Sequence, residues 1–94
     1  MSEEAREQLR IEDVRLETRA CLYRLGMAVA LSAADIARML RRKYDFTEAE
    51  VKQACLYWAS ASHNQFEEVR QTGVATRHYR ITSAGIDEHE RARV

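Results

Sequence analysis

Apolar residues recur with the period of an α-helix between residues 14 and 25 of this chain. One face of this segment is apolar and consists of Val14, Cys21, Leu22 and Leu25. The arginines of the segment are expected to face solvent on the other side: Arg15, Arg19 and Arg24. Gly26 follows directly, and a glycine at this position favours the end of a helix. Residues 1–12 are polar, and we expect them to be a frayed N-terminal extension of the helix, with an arm that orders against a partner as the alternative.

Two more helices are predicted from their first residues. Ser32 and Asp35 have the spacing of a capping box, in which both side chains bond to the backbone at the helix start. Thr47 and Glu50 repeat this spacing and predict a third helix over about residues 47–62. The expected buried stripe of the second helix is Ile36, Ala37, Met39 and Leu40. The corresponding stripe of the third helix is Val51, Ala54, Cys55 and Trp58.

The rest of the chain shows the period of two that indicates β-strands. Residues 65–71 and 76–82 alternate in this way, and Gly73 lies in the turn between them. Together they predict a β-hairpin over about residues 65–82. The apolar segment 27–31 is a candidate for a brief strand that pairs with this hairpin. With a short last helix over residues 83–91, the pattern predicts a mainly α fold with a small β-hairpin.

Three motifs lie on these elements. The second helix and the connection after it supply Ala37, Leu40, Tyr44, Phe46 and Thr47 in that order. The third helix supplies Val51, the pair Ala54-Cys55 and Trp58. The hairpin ends in Tyr79-Arg80-Ile81-Thr82-Ser83-Ala84-Gly85. In these motifs the chain resembles the winged helix-turn-helix modules of PadR- and MarR-type bacterial transcription regulators.

The resemblance implies a winged helix-turn-helix fold with a three-helix core, a two-stranded wing and a short C-terminal helix. It places a winged helix domain at residues 13–94, after a polar extension of residues 1–12. Three features depart from these regulators. The wing lacks a basic, glycine-rich tip, and the long C-terminal dimerisation helices are missing after Gly85. In addition, Glu48 and Glu50 at the start of the third helix are expected to repel phosphates.

The charge balance limits the kind of partner. Fifteen basic and fifteen acidic residues give a formal net charge of 0, which counts against binding nucleic acid by bulk attraction. The basic residues are clustered at 38–43 and 70–80, and nearly all of them are arginine, which suits bidentate contacts to phosphate or carboxylate.

The expected location is the cytoplasm. No apolar run reaches the roughly 20 residues of a membrane helix, so we expect no membrane association. The acidic first residues have no apolar segment after them, which argues against a secretory leader. Cys21 and Cys55 lie on apolar helix faces and are expected to be buried, reduced thiols.

The resemblance implies that the third helix is a recognition helix for double-stranded DNA. The predicted DNA-binding residues lie at helix starts, on the exposed face of the third helix and on the wing: Ser32, Thr47, Lys52, Gln53, Tyr57, Arg77 and Arg80. Gln53 has the groups for a bidentate pair with adenine, and Arg77 and Arg80 are suited to the phosphate backbone or the minor groove. Lys52, Gln53 and Tyr57 fit equally well as a solvated helix face.

A protein-interaction module is the alternative function, for example a phage or mobile-element protein that binds host machinery. Zero net charge, the acidic start of the third helix and the apolar surface at Leu56 and Tyr57 fit this use. An enzyme, a cofactor and a metal site are not expected, because the three histidines are scattered and no nucleophile or phosphate-binding loop is recognisable. A homodimer stays open, although a palindromic DNA site commonly requires two copies.

Overall fold

The computed structural model describes residues 2–92. Within them the chain forms four helices and three strands in the order α1, β1, α2, α3, β2, β3 and α4. The helices are α1 (Glu3–Leu25), α2 (Ala33–Leu40), α3 (Glu48–Ala59) and α4 (Ser83–Ala92). The strands are β1 (Leu31–Ser32), β2 (Phe66–Val69) and β3 (His78–Ile81). The prediction of a mainly helical fold with a small β element is therefore confirmed.

Helix α1 begins at Glu3, so the polar segment that was expected to fray belongs to a regular helix. Ser2 caps this end, because its hydroxyl accepts a hydrogen bond from the N–H of Ala5 at 3.2 Å. At the other end Gly26 has a φ of +83°, which confirms the predicted helix end. The boundary at residue 12 between an extension and a domain stays a prediction.

The sheet has three antiparallel strands in the order β1-β3-β2, one more than the predicted two-stranded wing. Leu31 pairs with Tyr79, and Ser32 pairs with His78. The brief strand expected within residues 27–31 therefore exists, at the end of that segment and one residue beyond it. Strands β2 and β3 are each four residues long, shorter than the alternating segments of the sequence.

Both predicted capping boxes are confirmed. The hydroxyl of Ser32 accepts the N–H of Asp35 at 3.2 Å, and the carboxylate of Asp35 accepts the N–H of Ser32. The hydroxyl of Thr47 accepts the N–H of Glu50 at 3.1 Å, and the Glu50 carboxylate accepts the N–H of Thr47 at 3.0 Å. These local hydrogen bonds fix where α2 and α3 begin.

The core lies between α1, α2, α3 and the inner face of the sheet. The expected stripe of α3 is buried, namely Val51, Ala54, Cys55 and Trp58. Tyr79 and Ile81 of β3 and Phe66 of β2 pack against it from the sheet. Met39 is an exception, because it was expected in the buried stripe of α2 and is 49% exposed.

The prediction that Arg19 faces solvent is wrong, since this residue is 5% exposed. Its Nη1 donates to Oε1 of Gln65 at 2.8 Å, and its Nε donates to Nδ1 of His89 at 3.3 Å. Its guanidinium carbon lies 4.7 Å from the centroid of the Trp58 ring. Burial lowers the pKa of Arg19. These partners make it a buried link between α1, α3, α4 and the residue just before β2.

Helix α4 approaches the body of the protein at Gly85. Thr82 caps the helix, because its hydroxyl accepts the N–H of Gly85 at 3.1 Å. A Cβ atom on Gly85 would overlap the carbonyl oxygen of Gln65 and lie 2.7 Å from Cγ1 of Ile81. The absence of a side chain at Gly85 is therefore what allows α4 to pack this closely.

Candidate functional site

A groove of about 520 Å³ lies between α3, the start of α2 and the residues just before β3. Three of the predicted DNA-binding residues line it together: Lys52 and Gln53 from α3, and Arg77 from the end of the wing loop. We call it the α3–wing groove, where "wing" denotes the hairpin formed by β2, β3 and the loop between them. The structure thus places Arg77 beside Lys52 and Gln53, which lie 25 and 24 positions earlier in the sequence.

The electrostatic character of the α3–wing groove comes from a helix end as well as from side chains. Ala33 and Ala34, the first two residues of α2, form part of its lining. The N–H groups of a first helical turn have no acceptor within the helix and carry partial positive charge. Lys52 and Arg77 add two cations, and Glu48 contributes one carboxylate to the same lining.

The two arginines predicted to act together, Arg77 in the loop just before β3 and Arg80 within β3, pair with different carboxylates. Arg80 pairs with Glu67, and its Nε donates to a Glu67 oxygen at 2.9 Å on the outer face. Tyr79 points the other way, into the core, and Arg77 contacts Glu68, the residue that pairs with Tyr79 across the two strands. Arg77 is held 3.6 Å from Oε1 of Glu68, so an external phosphate has to compete with this carboxylate.

Ser32 and Thr47 use their hydroxyls within the protein, in the capping boxes of α2 and α3. Ser32 is also buried, whereas Thr47 is exposed. The hydroxyl of Thr47 both accepts the N–H of Glu50 and donates to Oε1 of Glu50 at 3.2 Å. The hydroxyl proton of Thr47 is therefore already used within the protein, and the Ser32 side chain is shielded from an external group by burial.

The start of α3 is less acidic than its sequence suggests, because Arg10 of α1 neutralises Glu50. The guanidinium of Arg10 donates to both carboxylate oxygens of Glu50, at 2.6 and 3.0 Å, and to Asp45 at 3.3 Å. The hydrogen bond from Arg10 is the main cause that lowers the pKa of Glu50 to about 2. Of the two carboxylates expected to repel phosphates, Glu48 alone has no ion pair within residues 2–92.

Tyr57 is turned away from the α3–wing groove and toward α1. The guanidinium carbon of Arg15 lies 3.6 Å from the centroid of its ring, and the centroid of the His63 ring lies 4.1 Å from it. Tyr57 therefore belongs to a second surface, between α1 and α3. Gln53, one helical turn before Tyr57, lines both surfaces, as does Leu56, so the two surfaces meet along α3.

This second surface, which we call the α1–α3 face, is more apolar than the first. It contains a groove of about 490 Å³ and, beside it, a smaller one of about 280 Å³. Its apolar residues come from both helices: Ile11, Leu16, Leu56 and Tyr57. Ile11 and Leu16 are 44% and 46% exposed. The same two grooves are also lined by polar side chains, namely Glu12, Arg15, Glu50 and Gln53. Exposed apolar residues beside polar ones are typical of a site for another macromolecule.

Neither cysteine is among the residues that line the α3–wing groove or the α1–α3 face. Cys21 and Cys55 are buried and unbonded, as predicted. Burial raises the pKa of the Cys55 thiol to about 12, so it is protonated at neutral pH. Within residues 2–92 no cluster of three or more His, Cys, Asp or Glu side chains is arranged to hold a metal ion.

Comparison of the chain with protein-family models, with curated proteins and with solved structures finds no match. The resemblance to PadR- and MarR-type regulators therefore stays a prediction from the motifs. Among the helices of residues 2–92, none has the length and apolar character needed to cross a membrane.

Proposed function

We propose that this protein is a small winged-helix transcription regulator that binds double-stranded DNA through α3 and the wing. The observation that carries the proposal is the meeting of Lys52, Gln53 and Arg77 at the α3–wing groove. The two cations are groups that position a duplex through its phosphates, and the side-chain amide is a group that reads a base edge.

The roles follow from the chemistry of each group. Lys52 and Arg77 bind phosphate oxygens along this groove, and the amide of Gln53 pairs with N6 and N7 of adenine in the major groove. The free N–H groups at the start of α2 add a further phosphate contact. Glu50 does not oppose this binding, because Arg10 neutralises it.

The other predicted residues have supporting roles in this proposal. Ser32 and Thr47 fix the starts of α2 and α3 through their capping boxes, rather than bonding to phosphate through their hydroxyls. Arg80 lies on the outer face of the wing and serves the flanking backbone. Tyr57 lies on the α1–α3 face, away from the groove.

Fluorescence anisotropy with labelled duplexes, including the chain's own promoter region, tests the proposal. Lys52→Ala and Arg77→Ala should each weaken binding to all sequences and reduce the salt slope by about 0.9. Gln53→Ala should instead reduce the preference for the specific site, by about 1–3 kcal/mol. Arg91→Ala is the matched control, because this exposed arginine lies on α4 and pairs with Glu88.

A charge reversal makes the outcome decisive. Glu48→Lys should strengthen DNA binding, because it replaces the carboxylate of the groove lining with a cation. The proposal is wrong if no duplex binds at physiological salt. It is also wrong if Lys52→Ala and Arg77→Ala change the affinity no more than Arg91→Ala does.

A protein-interaction module is the second candidate, and the α1–α3 face is the observation that favours it. Its exposed apolar residues and the Arg15–Tyr57 stack have the composition of a protein contact surface. In that function Tyr57→Ala should abolish partner binding, and Arg77→Ala should leave it intact.

A further inference from the structure

The hydroxyl of Tyr79 is a buried polar group without a partner. Tyr79 is 1% exposed, and its hydroxyl makes no hydrogen bond within residues 2–92. A buried hydroxyl in this state is unfavourable, because it has lost its hydrogen bonds to water and gained none in the protein. Burial is the main cause that raises the pKa of Tyr79, so the hydroxyl is protonated at neutral pH and has a proton to donate. Such an orphaned donor indicates an acceptor that the folded chain does not itself supply.

The Tyr79 hydroxyl lies where the core meets the α3–wing groove. Tyr79 forms part of the lining of this groove. Two groups near its hydroxyl act on its pKa in addition to burial: Cys55 raises it, and Arg77 lowers it. Cys55 belongs to the core, whereas Arg77 lines the groove. The hydroxyl is therefore placed between the packed interior and a surface that a ligand can enter.

The first turn of α2 supplies further donors at the same place. Leu31, two residues before α2, pairs with Tyr79, so the strand pairing brings the start of α2 beside this tyrosine. Ala33 and Ala34, the first two residues of α2, line the groove with it. The capping box uses the N–H groups of residues 32 and 35, and within residues 2–92 no side chain accepts the N–H of Ala33 or Ala34. These N–H groups have no acceptor within the helix and carry its partial positive charge.

Arg77 adds a cation whose guanidinium is only weakly engaged. Its contact with Glu68 is made by Nε at 3.6 Å, longer than a hydrogen bond. Its side chain is 55% exposed, so it can turn toward an oxyanion and uncover the hydroxyl beside it. Glu48 contributes a carboxylate to the groove lining, and the ammonium group of Lys52 in the same lining offsets its charge. The donors at the start of α2, at Tyr79 and at Arg77 therefore suit an anion with several oxygens.

We propose that the first turn of α2, the Tyr79 hydroxyl and the Arg77 guanidinium form one site for a phosphoryl group. The hydroxyl and the N–H groups donate to its oxygens, and the guanidinium neutralises its charge. The phosphoryl group is carried either by the backbone of a duplex or by a free phosphate ester. For the first source the inference rests on the proposed function. For the second it goes beyond that function, because a free ester in this site would compete with the duplex for the α3–wing groove.

Tyr79→Phe tests the site, because it removes the hydroxyl alone. An unbonded buried hydroxyl contributes no hydrogen bond to the fold, so the Tm of the variant should equal or exceed that of the wild type. Its affinity for inorganic phosphate, measured by isothermal titration calorimetry in a phosphate-free buffer, should fall by about tenfold or more, as expected for the loss of one hydrogen bond to a charged group. Tyr44→Phe is the matched control, because it removes the same group from a tyrosine outside the groove, and it should leave this affinity unchanged.

Arg77→Ala tests the cation of the site. It should weaken phosphate binding, and the affinity of the wild type should fall as salt screens this charge. Arg70→Ala is the control, because Arg70 contacts the same Glu68 oxygen at 3.6 Å but does not line the α3–wing groove. A Tyr79→Phe variant that is less stable than the wild type would overturn the proposal, because its hydroxyl would then be bonded within the fold.

Duplex binding, measured in parallel by fluorescence anisotropy, distinguishes the two sources of the phosphoryl group. If Tyr79→Phe weakens duplex binding and the wild type does not bind inorganic phosphate, the site takes the phosphate of the duplex backbone. If inorganic phosphate binds and displaces the duplex, the site accepts both sources. If Tyr79→Phe binds both ligands as tightly as the wild type does, the proposal is wrong.

The same measurements separate this inference from the proposed function. Duplex binding that depends on Lys52 but not on Tyr79 would refute the phosphoryl site and leave the DNA-binding function standing. Phosphate binding that depends on Tyr79, in a protein that binds no duplex, would support the site and refute the DNA-binding function.

Discussion

Replacing Gly85 with alanine tests how closely α4 packs on the rest of the protein. The added Cβ would overlap the carbonyl oxygen of Gln65 and lie 2.7 Å from a side-chain carbon of Ile81. The Gln65 carbonyl cannot retreat freely, because it accepts the N–H of Thr82 at 3.0 Å. The N–H of Gln65 is bound in turn to the Trp58 carbonyl at 2.8 Å. Relieving the overlap therefore requires a shift of the Gln65 backbone, whose N–H and carbonyl groups are both hydrogen-bonded.

The magnitude follows from three opposing effects. Overpacking a tight contact costs about 1–3 kcal/mol, and weakening one hydrogen bond adds about 1 kcal/mol. Alanine offsets about 1 kcal/mol of this, because it is the better helix former. We expect a net loss of about 2 kcal/mol in the free energy of unfolding. In a domain of this size that lowers Tm by about 8–16 °C.

Urea denaturation and a thermal scan measure the loss. Ala84→Gly is the control, since Ala84 is exposed on the same helix turn and reports helix propensity alone, about 1 kcal/mol. If Gly85→Ala is as stable as the wild type or more stable, α4 does not sit against Gln65 as described. In that case Gly85→Val should also be tolerated. The observed packing predicts instead that Gly85→Val is strongly destabilising.

Three other predictions follow from the core, a helix cap and an ion pair. Trp58→Ala should cost about 3–5 kcal/mol of unfolding free energy in denaturant titrations, because it empties the junction of α1 and α3; a loss below about 1 kcal/mol would contradict the packing. Thr47→Ala should cost about 1 kcal/mol by removing the cap of α3, and an unchanged Tm would mean that this hydroxyl contributes nothing. The pKa of Glu50 is lowered from 4.5 to about 2, so its ionised form stabilises the folded state. This contribution is fully present above pH 4.5 and is lost as the pH falls toward 2. Glu50→Gln should therefore flatten the loss of stability between about pH 4.5 and 2, with Glu48→Gln as the control that does not.

The sequence predicted those features that depend on neighbouring residues. The capping boxes of Ser32 and Thr47 require only a partner three positions away, and both are present. The stripe that ends in Trp58 follows from the helical period, and it is buried. Such contacts are local, so the spacing of residue types is enough to reveal them.

Features that depend on distant partners were missed. Arg19 looked like a solvated residue, and its side-chain partners, Gln65 and His89, lie 46 and 70 residues away. A helical period assigns an arginine to the solvent side unless those partners are known. The same limit applies to the candidate site. Lys52 and Arg77 were chosen for their chemistry, but only the three-dimensional arrangement shows that they share a groove and that Arg80 does not.

The position of Trp58 gives this protein a built-in optical probe. It is the single tryptophan of the chain, and its Nε1 donates to the carbonyl oxygen of Arg15 at 2.8 Å. Separation of α1 from α3 would break this bond and admit water to the indole, which shifts its emission to longer wavelength. Release of α4 would remove His89 from Arg19 but leave the indole bond in place. Intrinsic fluorescence therefore distinguishes the opening of the α1–α3 junction from the detachment of the C-terminal helix, without any added label.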